Sequence, residues 1–563
     1  MRSLRGRAAF LLAAGVPLAF LGVFFAYPVA ALVGRGFVGD GGVDFSGFAE
    51  VFSRPRTWRV LRQTLGQATW ATAVVAVLGV PAAHILYRRR FPGRGALRVL
   101  LAVPFVLPAV VVGVAFRSLL SSSGALGWTN LDGTMAGVVL ALIFFNFGVL
   151  TRAVGLHWAQ LDSRPEEAAA ALGASPARVF GTVTLPRLAP AIASGGALVF
   201  LFSATAFGTV LILGGVRYGT IETEIWLQTT QMLDLRAAAV LSVVQFAIVA
   251  LVLSGAGVAR GKRNRAATLG AAGGGARAGS AIVRRGQGSA ARLRANDLPA
   301  LTVTLLIAAF LLAPLAELVG RSLRTPQGWG LGNYARLAER GGVSGLPDSL
   351  LGAAARSAEV AGKAAVLALV LGLLIAGVLA RPLRSRAGRR TQGAVEAILM
   401  LPLGVSAVTV GFGFLIALNK PPLDLRTSPL LLPIAQAIVA LPLVIRAVLP
   451  AWRGVSERAR EAAAVLGARP SRVLASIDGP VLVRASAVGG ALAFAVAAGE
   501  FGATAFLSRP ETATLPVAIY RLLGRPGAAN FGTALAACVL LAAMTSLVMA
   551  LAERSRSPVG GAL

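Results

Sequence analysis

Residues 167–186 read EAAAALGASPARVFGTVTLP, and residues 461–480 read EAAAVLGARPSRVLASIDGP. The two stretches are 294 residues apart (461 − 167), and the same offset continues without a gap until Phe207-Gly208 meets Phe501-Gly502. Similarity at one fixed offset indicates an internal duplication. The chain is therefore a tandem repeat of one unit, and the fold of the first unit is expected again in the second.

Each copy of this stretch predicts a short helix, a tight turn and a second helix. Glu167-Ala168-Ala169 opens a strong helix-forming run with an acid in its first turn. Gly173 is placed to end that helix in the left-handed conformation, and Ser175-Pro176 offers an N-cap followed by a first helical residue. The second copy repeats these signals, and a proline is expected to close each element: Glu461, Ala462, Ala463, Gly467 and Pro470 in the second copy, with Pro186 and Pro480 at the two ends.

The composition places both units in a membrane. Apolar residues make up 56% of the 563 residues against 14% charged, and the mean hydropathy is +0.74, which excludes a soluble multi-domain enzyme and a disordered chain. Apolar segments of spanning length lie at 9–33, 66–87, 97–120, 134–156, 190–213 and 237–259, and then at 298–320, 359–380, 394–418, 429–451, 485–507 and 530–552. We therefore predict an all-α polytopic membrane protein of about 12 transmembrane helices, arranged as two tandem six-helix units.

The formal charge of +31 comes mainly from short basic runs between apolar segments, such as Arg88-Arg89-Arg90 and Arg389-Arg390. Such runs are typical of loops on the cytosolic side of a membrane, whereas nucleic-acid binding needs a continuous basic face on a folded domain. With both termini in the cytosol these runs lie inside, and the outer side receives residues 121–132 together with Glu222 and Glu224. We predict a multi-pass protein of the lipid bilayer with no nucleic-acid partner.

The sequence divides into three parts. Residues 1–259 form the first unit, with its loop at 165–186, and residues 298–563 form the second unit, with its loop at 459–480. The intervening segment 260–297 is rich in Gly, Ala and Arg, which indicates a flexible basic cytosolic linker. Because each unit has an even number of predicted spans, the two units share one orientation and are related by an axis along the membrane normal.

The repeated loop resembles a family signature: EAA, three residues, Gly, nine residues and then I-x-L-P. This signature is typical of the membrane subunits of ATP-binding-cassette importers with the MetI-like fold, and the fused two-unit form is similar to the permeases of ferric-iron and thiamine importers. Gly479 stands where the family has leucine, so the end of the second copy is expected to dock differently. The resemblance assigns the coupling role to Glu167, Ala168, Ala169, Gly173, Pro176, Leu185 and Pro186, and to Glu461, Ala462, Ala463, Gly467, Pro470 and Pro480.

The resemblance implies that the two loops are coupling helices, each seated on one of two ATPase subunits. It also implies that a solute-binding protein delivers the solute to the outer face of a bacterial cytoplasmic membrane. The sequence contains no G-x4-G-K-[ST], so we expect no cofactor in this chain and ATP hydrolysis in a separate subunit. No catalytic or metal-ligand spacing occurs either, which predicts a transporter subunit rather than an enzyme. Ferric iron and thiamine are the expected solutes, and an oxyanion or another small organic solute stays open.

The alternative is a secondary transporter with twelve spans that is driven by an ion gradient. Such proteins couple through ionisable residues inside the bilayer, and Glu500 is the candidate for that role. Glu500 is also a candidate for a gate or a solute contact, against the plainer interpretation of a hydrogen bond at the interface. The alternative gives no reason for the doubled loop, and the other residues that line the pathway are not identified by the sequence.

Overall fold

The computed structural model describes residues 14–39, 42–215, 218–272, 291–340, 348–380 and 392–554, the last range with gaps at 394, 397, 400, 401, 403, 404, 420 and 422. Within these residues the protein consists mainly of α-helices. Ten of the described helices are long and apolar enough to cross a membrane, and one sharply bent pair of shorter helices has the same length and composition when the two are taken together. The polytopic all-α fold of about 12 transmembrane helices is therefore confirmed.

The first unit contains two helices of the loop and a series of apolar helices around them. They are α1 (Ala14–Phe37), α2 (Ser46–Ser53), α3 (Pro55–Arg88), α4 (Arg94–Val106), α5 (Ala109–Leu120), α6 (Met135–Gln160), α7 (Arg164–Ala171), α8 (Pro176–Ala204), α9 (Gly208–Gly214), α10 (Ile221–Thr230) and α11 (Leu235–Ala272). Strands β1 (Val38–Gly39) and β2 (Gly42–Val43) form a small antiparallel pair, and β3 (Arg89–Arg90) follows α3.

The second unit repeats this order. After β4 (Ala291–Arg292) it contains α12 (Leu298–Ser322), α13 (Gly332–Ala335), α14 (Leu350–Leu379), α15 (Ala407–Ala417), α16 (Leu431–Arg453), α17 (Glu457–Val465), α18 (Pro470–Gly499), α19 (Thr504–Leu507), α20 (Leu515–Leu523) and α21 (Ala528–Arg554). Strands β5 (Arg324–Thr325) and β6 (Gly328–Trp329) pair after α12.

The first helix of each unit packs against the other unit. Leu21 and Phe25 of α1 lie in a core cluster whose other buried members come from the second unit. In the same way, Ile307 and Leu311 of α12 lie in a cluster of buried residues from the first unit. A third cluster draws buried residues from both units. Each of the three clusters contains residues of both units, so neither unit buries its apolar surface alone.

The third predicted span of the first unit is not one straight helix. Segment 97–120 divides into α4 and α5, which meet at an angle of 105°. Leu107 is extended with ψ 139°, a conformation that the following proline favours, and Pro108 then precedes the first turn of α5. In the second unit the described part of segment 394–418 contains the short helix α15, again after a break.

The second helix of each loop continues into the following span. The sequence predicts that Pro186 and Pro480 close the loop, but both prolines lie in the first turn of a helix that runs on without interruption. A π-helical turn at Phe180–Thr184, and another at Leu474–Asp478, precedes each proline. The wider turn accommodates a residue that has no N–H to donate. The spans α8 and α18 then end at Ala204 and Gly499, earlier than predicted.

Part of the predicted linker 260–297 has regular structure. Helix α11 continues to Ala272, and β4 pairs in parallel with β3 at the end of α3. Asp297 has two partners there: it forms an ion pair with Arg89 Nε at 2.8 Å and a hydrogen bond with His84 Nε2 at 3.1 Å. Residues 273–290 lie outside the described residues. The start of the second unit is therefore attached directly to the first unit.

Candidate functional sites: the paired loops and the interface between the units

The turn in each loop has the conformation that the sequence predicts. Gly173 has φ +84° and Gly467 has φ +79°, in the left-handed region. The Ala174 N–H donates to the Ala169 carbonyl at 3.1 Å, and the Ala468 N–H donates to the carbonyl five residues before it at 3.0 Å. These are the hydrogen bonds of a Schellman motif, which satisfies the last carbonyls of the first helix.

The second helix of the loop is capped in one copy only. The Arg178 N–H donates to Ser175 Oγ at 3.4 Å, so Ser175 is the N-cap of α8. Arg469 occupies the equivalent position before α18, and its side chain makes no capping hydrogen bond. Ser163 Oγ also donates to Glu167 Oε1 at 2.7 Å, which fixes the carboxylate of the signature beside the start of α7.

The loops present apolar side chains to solvent at their tips. Leu172 is 89% exposed, and Val465 and Leu466 are 87% and 86% exposed. Large exposed apolar side chains in one patch indicate an interaction surface. Most of the residues that the sequence assigns to coupling are exposed, and the two exceptions, Ala169 and Ala463, are half-buried. The exposed ones are Glu167, Ala168, Gly173, Pro176, Leu185, Pro186, Glu461, Ala462, Gly467, Pro470 and Pro480.

The first loop is anchored to the rest of the first unit through Glu166. Its Oε1 accepts a hydrogen bond from Thr184 Oγ1 at 2.9 Å, and its Oε2 accepts one from Arg88 Nη2 at 2.9 Å. The Arg88 guanidinium also donates to the Leu161 carbonyl at 3.3 Å. Glu166 therefore joins α7 both to the π turn of α8 and to the end of α3.

The second loop uses the same positions with different residues. Arg460 stands 294 residues after Glu166, and Asp478 stands 294 after Thr184. Arg460 Nε and Nη2 donate to Asp478 Oδ1 at 2.9 and 2.8 Å, and Nη1 donates to Glu457 at 2.9 Å. Burial opposes the charge of Arg460, but the hydrogen bonds to these carboxylates outweigh it and raise its pKa.

The family signature does not include these anchoring residues. The signal was present, because the duplicated register places an acid and a base at the same position of the two copies. Only the structure shows that each of them reaches the π turn at the end of its own loop.

Four aromatic side chains meet between the two units at positions related by the same offset. The rings of Phe207 and Phe501 stack with centroids 5.5 Å apart and an interplanar angle of 19°. Trp226 and Tyr520 meet edge to face at 6.2 Å, and each also contacts the phenylalanine of its own unit. Equivalent residues that touch each other must lie near the pseudo-two-fold axis. We call these four side chains the aromatic cluster.

A cavity of about 240 Å³ lies next to the aromatic cluster and is lined by both units. Its lining includes Phe105, Phe145, Phe202, Phe207, Phe501 and Glu500. Glu500 is only 6% exposed. Its carboxylate accepts hydrogen bonds from the Ala503 N–H at 2.7 Å and the Thr504 N–H at 3.1 Å. The sequence named Glu500 as a candidate for a gate or a solute contact, and the structure places it at the cavity between the units.

The acidic segment that the sequence assigns to an outer loop is part of the packed interior. Glu222 is fully buried and its Oε2 accepts a hydrogen bond at 2.7 Å from Ser406 Oγ of the second unit. Glu224 is 4% exposed and forms an ion pair at 2.8 Å with Arg56. The acidic character suggested solvent exposure, but both carboxyl groups have partners that permit burial.

Neither histidine takes part in a candidate metal centre. His84 binds Asp297, and His157 Nε2 lies 3.2 Å from the Arg187 carbonyl. The described residues contain no group of three His, Cys, Asp or Glu side chains that could hold a metal ion. Cys538 is buried in the apolar core shared by the units.

Comparison with known proteins gives one family model and several relatives. Residues 75–260, which include the first loop, match the family described as "Binding-protein-dependent transport system inner membrane component". The thiamine transport system permease protein ThiP of Brucella suis is 27% identical over 557 residues, covering 96% of this chain and 95% of the relative.

Two relatives are more similar over a shorter length. The sulfate transport system permease protein CysT of Escherichia coli is 34% identical over 212 residues, which is 37% of this chain and 75% of the relative. The molybdenum transport system permease protein ModB of Mycobacterium tuberculosis is 33% identical over 244 residues, which is 42% of this chain and 89% of the relative. A chain from a bacterial ABC transporter for alginate import has a TM-score of 0.39 and 19% identity, covering 45% of this chain and 96% of that one.

Proposed function

Since this chain belongs to the family of inner-membrane components of binding-protein-dependent transport systems, we propose that it forms the translocation pathway of an importer for thiamine. The chain is the fused two-unit form of an ATP-binding-cassette importer permease. The observation that carries the thiamine assignment is coverage, because the thiamine permease relative accounts for 96% of the chain, against 37% and 42% for the sulfate and molybdenum relatives. None of these relatives is named for iron.

The paired loops are the docking surfaces for two ATPase subunits in this proposal. Three features support it: the exposed apolar tips, the identical turns, and the firm attachment of each loop to its own π turn. Two equal surfaces related by a pseudo-two-fold axis suit a partner that is itself a symmetric dimer. The ATPase subunits bind and hydrolyse the ATP that supplies the energy.

The aromatic cluster is the closed gate of the pathway. It lies between the units, just beyond the last residues of α8 and α18, whereas the loops lie at the first residues of the same helices. A helix of 20 residues is about 30 Å long, so loops and cluster stand at opposite ends of the membrane domain. Movement of the loops is transmitted along α8 and α18 to separate Phe207 from Phe501.

The loops face the cytosol, and the opposite end of the helices receives a solute-binding protein. Labelling of single cysteines with an impermeant maleimide tests this orientation in a Cys538→Ala background. Cysteines replacing Ser122 and Met232 should react in intact cells, whereas one replacing Ser175 should react only after the cells are opened, since all three positions are exposed. Reaction at Ser175 in intact cells would reverse the orientation.

Uptake into proteoliposomes tests the solute. The chain is reconstituted with its ATPase subunits and solute-binding protein, and radiolabelled thiamine uptake is measured with internal ATP. Saturable uptake that ferric complexes, sulfate and molybdate do not inhibit is the expected result. Uptake of one of those solutes without thiamine uptake would refute the assignment to thiamine.

The same preparation separates an importer from an ion-coupled transporter. With an ATPase subunit that binds but cannot hydrolyse ATP, uptake should stop although the proton and sodium gradients are intact. The doubled loop has a role only in the ATP-driven mechanism. Uptake that follows an ion gradient in the absence of ATP hydrolysis would favour the secondary transporter.

A further inference from the structure

We propose that the cavity between the units is a binding site for an aromatic organic cation, with Glu500 as its counter-ion and the surrounding phenylalanine rings as its walls. The proposal rests on the proposed function, because thiamine carries a permanently charged thiazolium ring and a second aromatic ring. A cavity of about 150 Å³ is enough for benzene, so the 240 Å³ present here accommodates an aromatic ring with its substituents.

The charge of Glu500 has no cationic partner in the part of the chain that the structure describes. The hydrogen bonds that its carboxylate accepts come from the neutral backbone N–H groups of Ala503 and Thr504. None of the ion pairs among the described residues includes Glu500, although it is 94% buried. A buried carboxylate without a cation is expensive within a membrane protein, and such a residue marks a functional site by default. A cationic solute in the adjacent cavity would neutralise it.

The walls of the cavity are suited to the same ligand. Phe105 lies with its ring centroid 5.9 Å from those of both Phe145 and Phe202, and the stacked rings of Phe207 and Phe501 also line the cavity. The faces of aromatic rings attract cations, and several rings around one cavity are the usual means of binding a quaternary ammonium group. An inorganic anion would meet a carboxylate and apolar rings, so the lining disfavours sulfate and molybdate.

The duplication itself argues against a purely structural role for Glu500. Ala206 is the equivalent residue of the first unit, and it lines the same cavity. Ala206 offers no side-chain acceptor, and α9 begins two residues later without a side-chain cap. A carboxylate at this position of the cavity lining is therefore a feature of the second unit alone.

Ligand binding to the intact permease–ATPase complex in nanodiscs tests the site without the solute-binding protein. The probes are benzyltrimethylammonium, an aromatic cation, and benzyl alcohol, which is aromatic and neutral. Glu500→Gln should weaken binding of the cation by about tenfold or more and leave benzyl alcohol unchanged, because only the cation loses a buried charge partner. Glu222→Gln is the matched control, since it replaces a buried carboxyl group that does not line the cavity and should change neither affinity.

Equal binding of the cation by the wild type and Glu500→Gln would overturn the proposal. So would an equal loss of both probes, which would mean that the turn at Ala503 had been disturbed. Glu500→Asp keeps the charge and should keep the preference for the cation; loss of that preference in Glu500→Asp would also overturn the proposal. Thiamine uptake by the wild type decides the proposed function separately. Cation binding without thiamine uptake refutes thiamine alone, whereas thiamine uptake without cation binding at the cavity refutes this site.

Discussion

The loops of the two units have the same backbone but opposite anchoring charges. At the equivalent position of the first helix, Glu166 accepts a hydrogen bond from Thr184, whereas Arg460 donates to Asp478. Both partners on the π turn are buried, and the turns of both loops have the same glycine conformation. The comparison shows that a contact between the first helix and the π turn has been retained, whereas the chemistry of that contact has not.

The two anchors also differ in what they reach. Glu166 binds Arg88 at the end of α3, and the next residue, Arg89, binds Asp297 at the start of the second unit. Arg460 binds Glu457 of its own helix in addition to Asp478. The first loop is therefore connected to the junction between the units, whereas the described contacts of the second anchor stay within its own loop and the end of α16.

The largest difference between the loops should follow removal of the anchors. Arg460→Ala leaves Asp478 buried with 1% side-chain exposure and no cation, which should destabilise the second loop by about 3 kcal/mol. Glu166→Ala removes the hydrogen bond from the buried, neutral Thr184 and the ion pair with the half-buried Arg88, and it should cost only about 1 kcal/mol because no buried charge is left without a partner. Hydrogen exchange of the α7 and α17 amides in the intact complex measures both values.

A double variant distinguishes the loss of a charge partner from the loss of packing. Arg460→Ala with Asp478→Ala removes both charges, so most of the stability should return. If the double variant is as unstable as Arg460→Ala alone, the ion pair is not the anchor. Equal costs for Arg460→Ala and Glu166→Ala would remove the distinction between the two copies.

Substitution of the left-handed glycine should have the second largest effect, and that effect should be equal in the two loops. Gly173→Val and Gly467→Val place a β-branched side chain at φ +84° and +79°, which should cost about 2 kcal/mol at each position and misdirect the second helix. An added Cβ meets no atom within 4 Å at either glycine, so the cost is conformational alone. Binding of the ATPase and coupled uptake should fall equally in the two variants.

Gly181→Val is the matched control for these substitutions. Gly181 belongs to the same loop and also has open space around its Cα, but its φ lies outside the left-handed region. The variant should retain coupling. A loss as large as that of Gly173→Val would mean that the loop surface, rather than the turn, is sensitive to valine.

A smaller effect should be confined to the first loop. Asp297→Ala removes the partner of Arg89 beside the anchor of Glu166. The opening free energy of the α7 amides should fall by about 0.5 kcal/mol, so their hydrogen exchange should become faster. The α17 amides should not change, because Arg460 has no contact with this junction among its hydrogen bonds. Equal changes in both loops would show that the junction acts on the whole membrane domain.

Expression of the protein as two chains extends this comparison. Chains 1–275 and 276–563 retain the β3–β4 pair and the ion pair of Asp297, so they should assemble and transport. Adding Asp297→Ala to the second chain should reduce the yield of the assembled pair. No assembly of the unmodified chains would assign an essential role to the covalent connection.

The sequence predicted those features that local signals determine. Gly173 with Ser175-Pro176 predicts the helix, the left-handed turn and the next helix, and apolar segment length predicts the spans. It did not predict that α4 and α5 meet at 105° or that Pro186 continues a helix through a π turn, since both depend on how helices pack around a proline. The burial of Glu222 depends on Ser406 from the other unit, which no local pattern reveals.

The smallest effect concerns Gly479, where the second copy lacks the leucine of the signature. Its φ of −53° and ψ of −52° are helical, so the backbone gains nothing from glycine. In Gly479→Leu the added Cβ would meet the Leu474 carbonyl at 3.3 Å, which is unfavourable. The better helix propensity of leucine stabilises the helix by about 0.8 kcal/mol. Because the two effects oppose each other, the stability of the loop should change by less than about 0.5 kcal/mol. Because the fold of the second loop does not depend on this residue, any effect must come from contact with the ATPase. Association of the ATPase and thiamine uptake by Gly479→Leu should stay within about twofold of the wild-type values. The equivalent residue of the first loop, Leu185, is 38% exposed. A larger gain for Gly479→Leu would show that the two loops dock unequally, and that the second has lost a contact which the first retains.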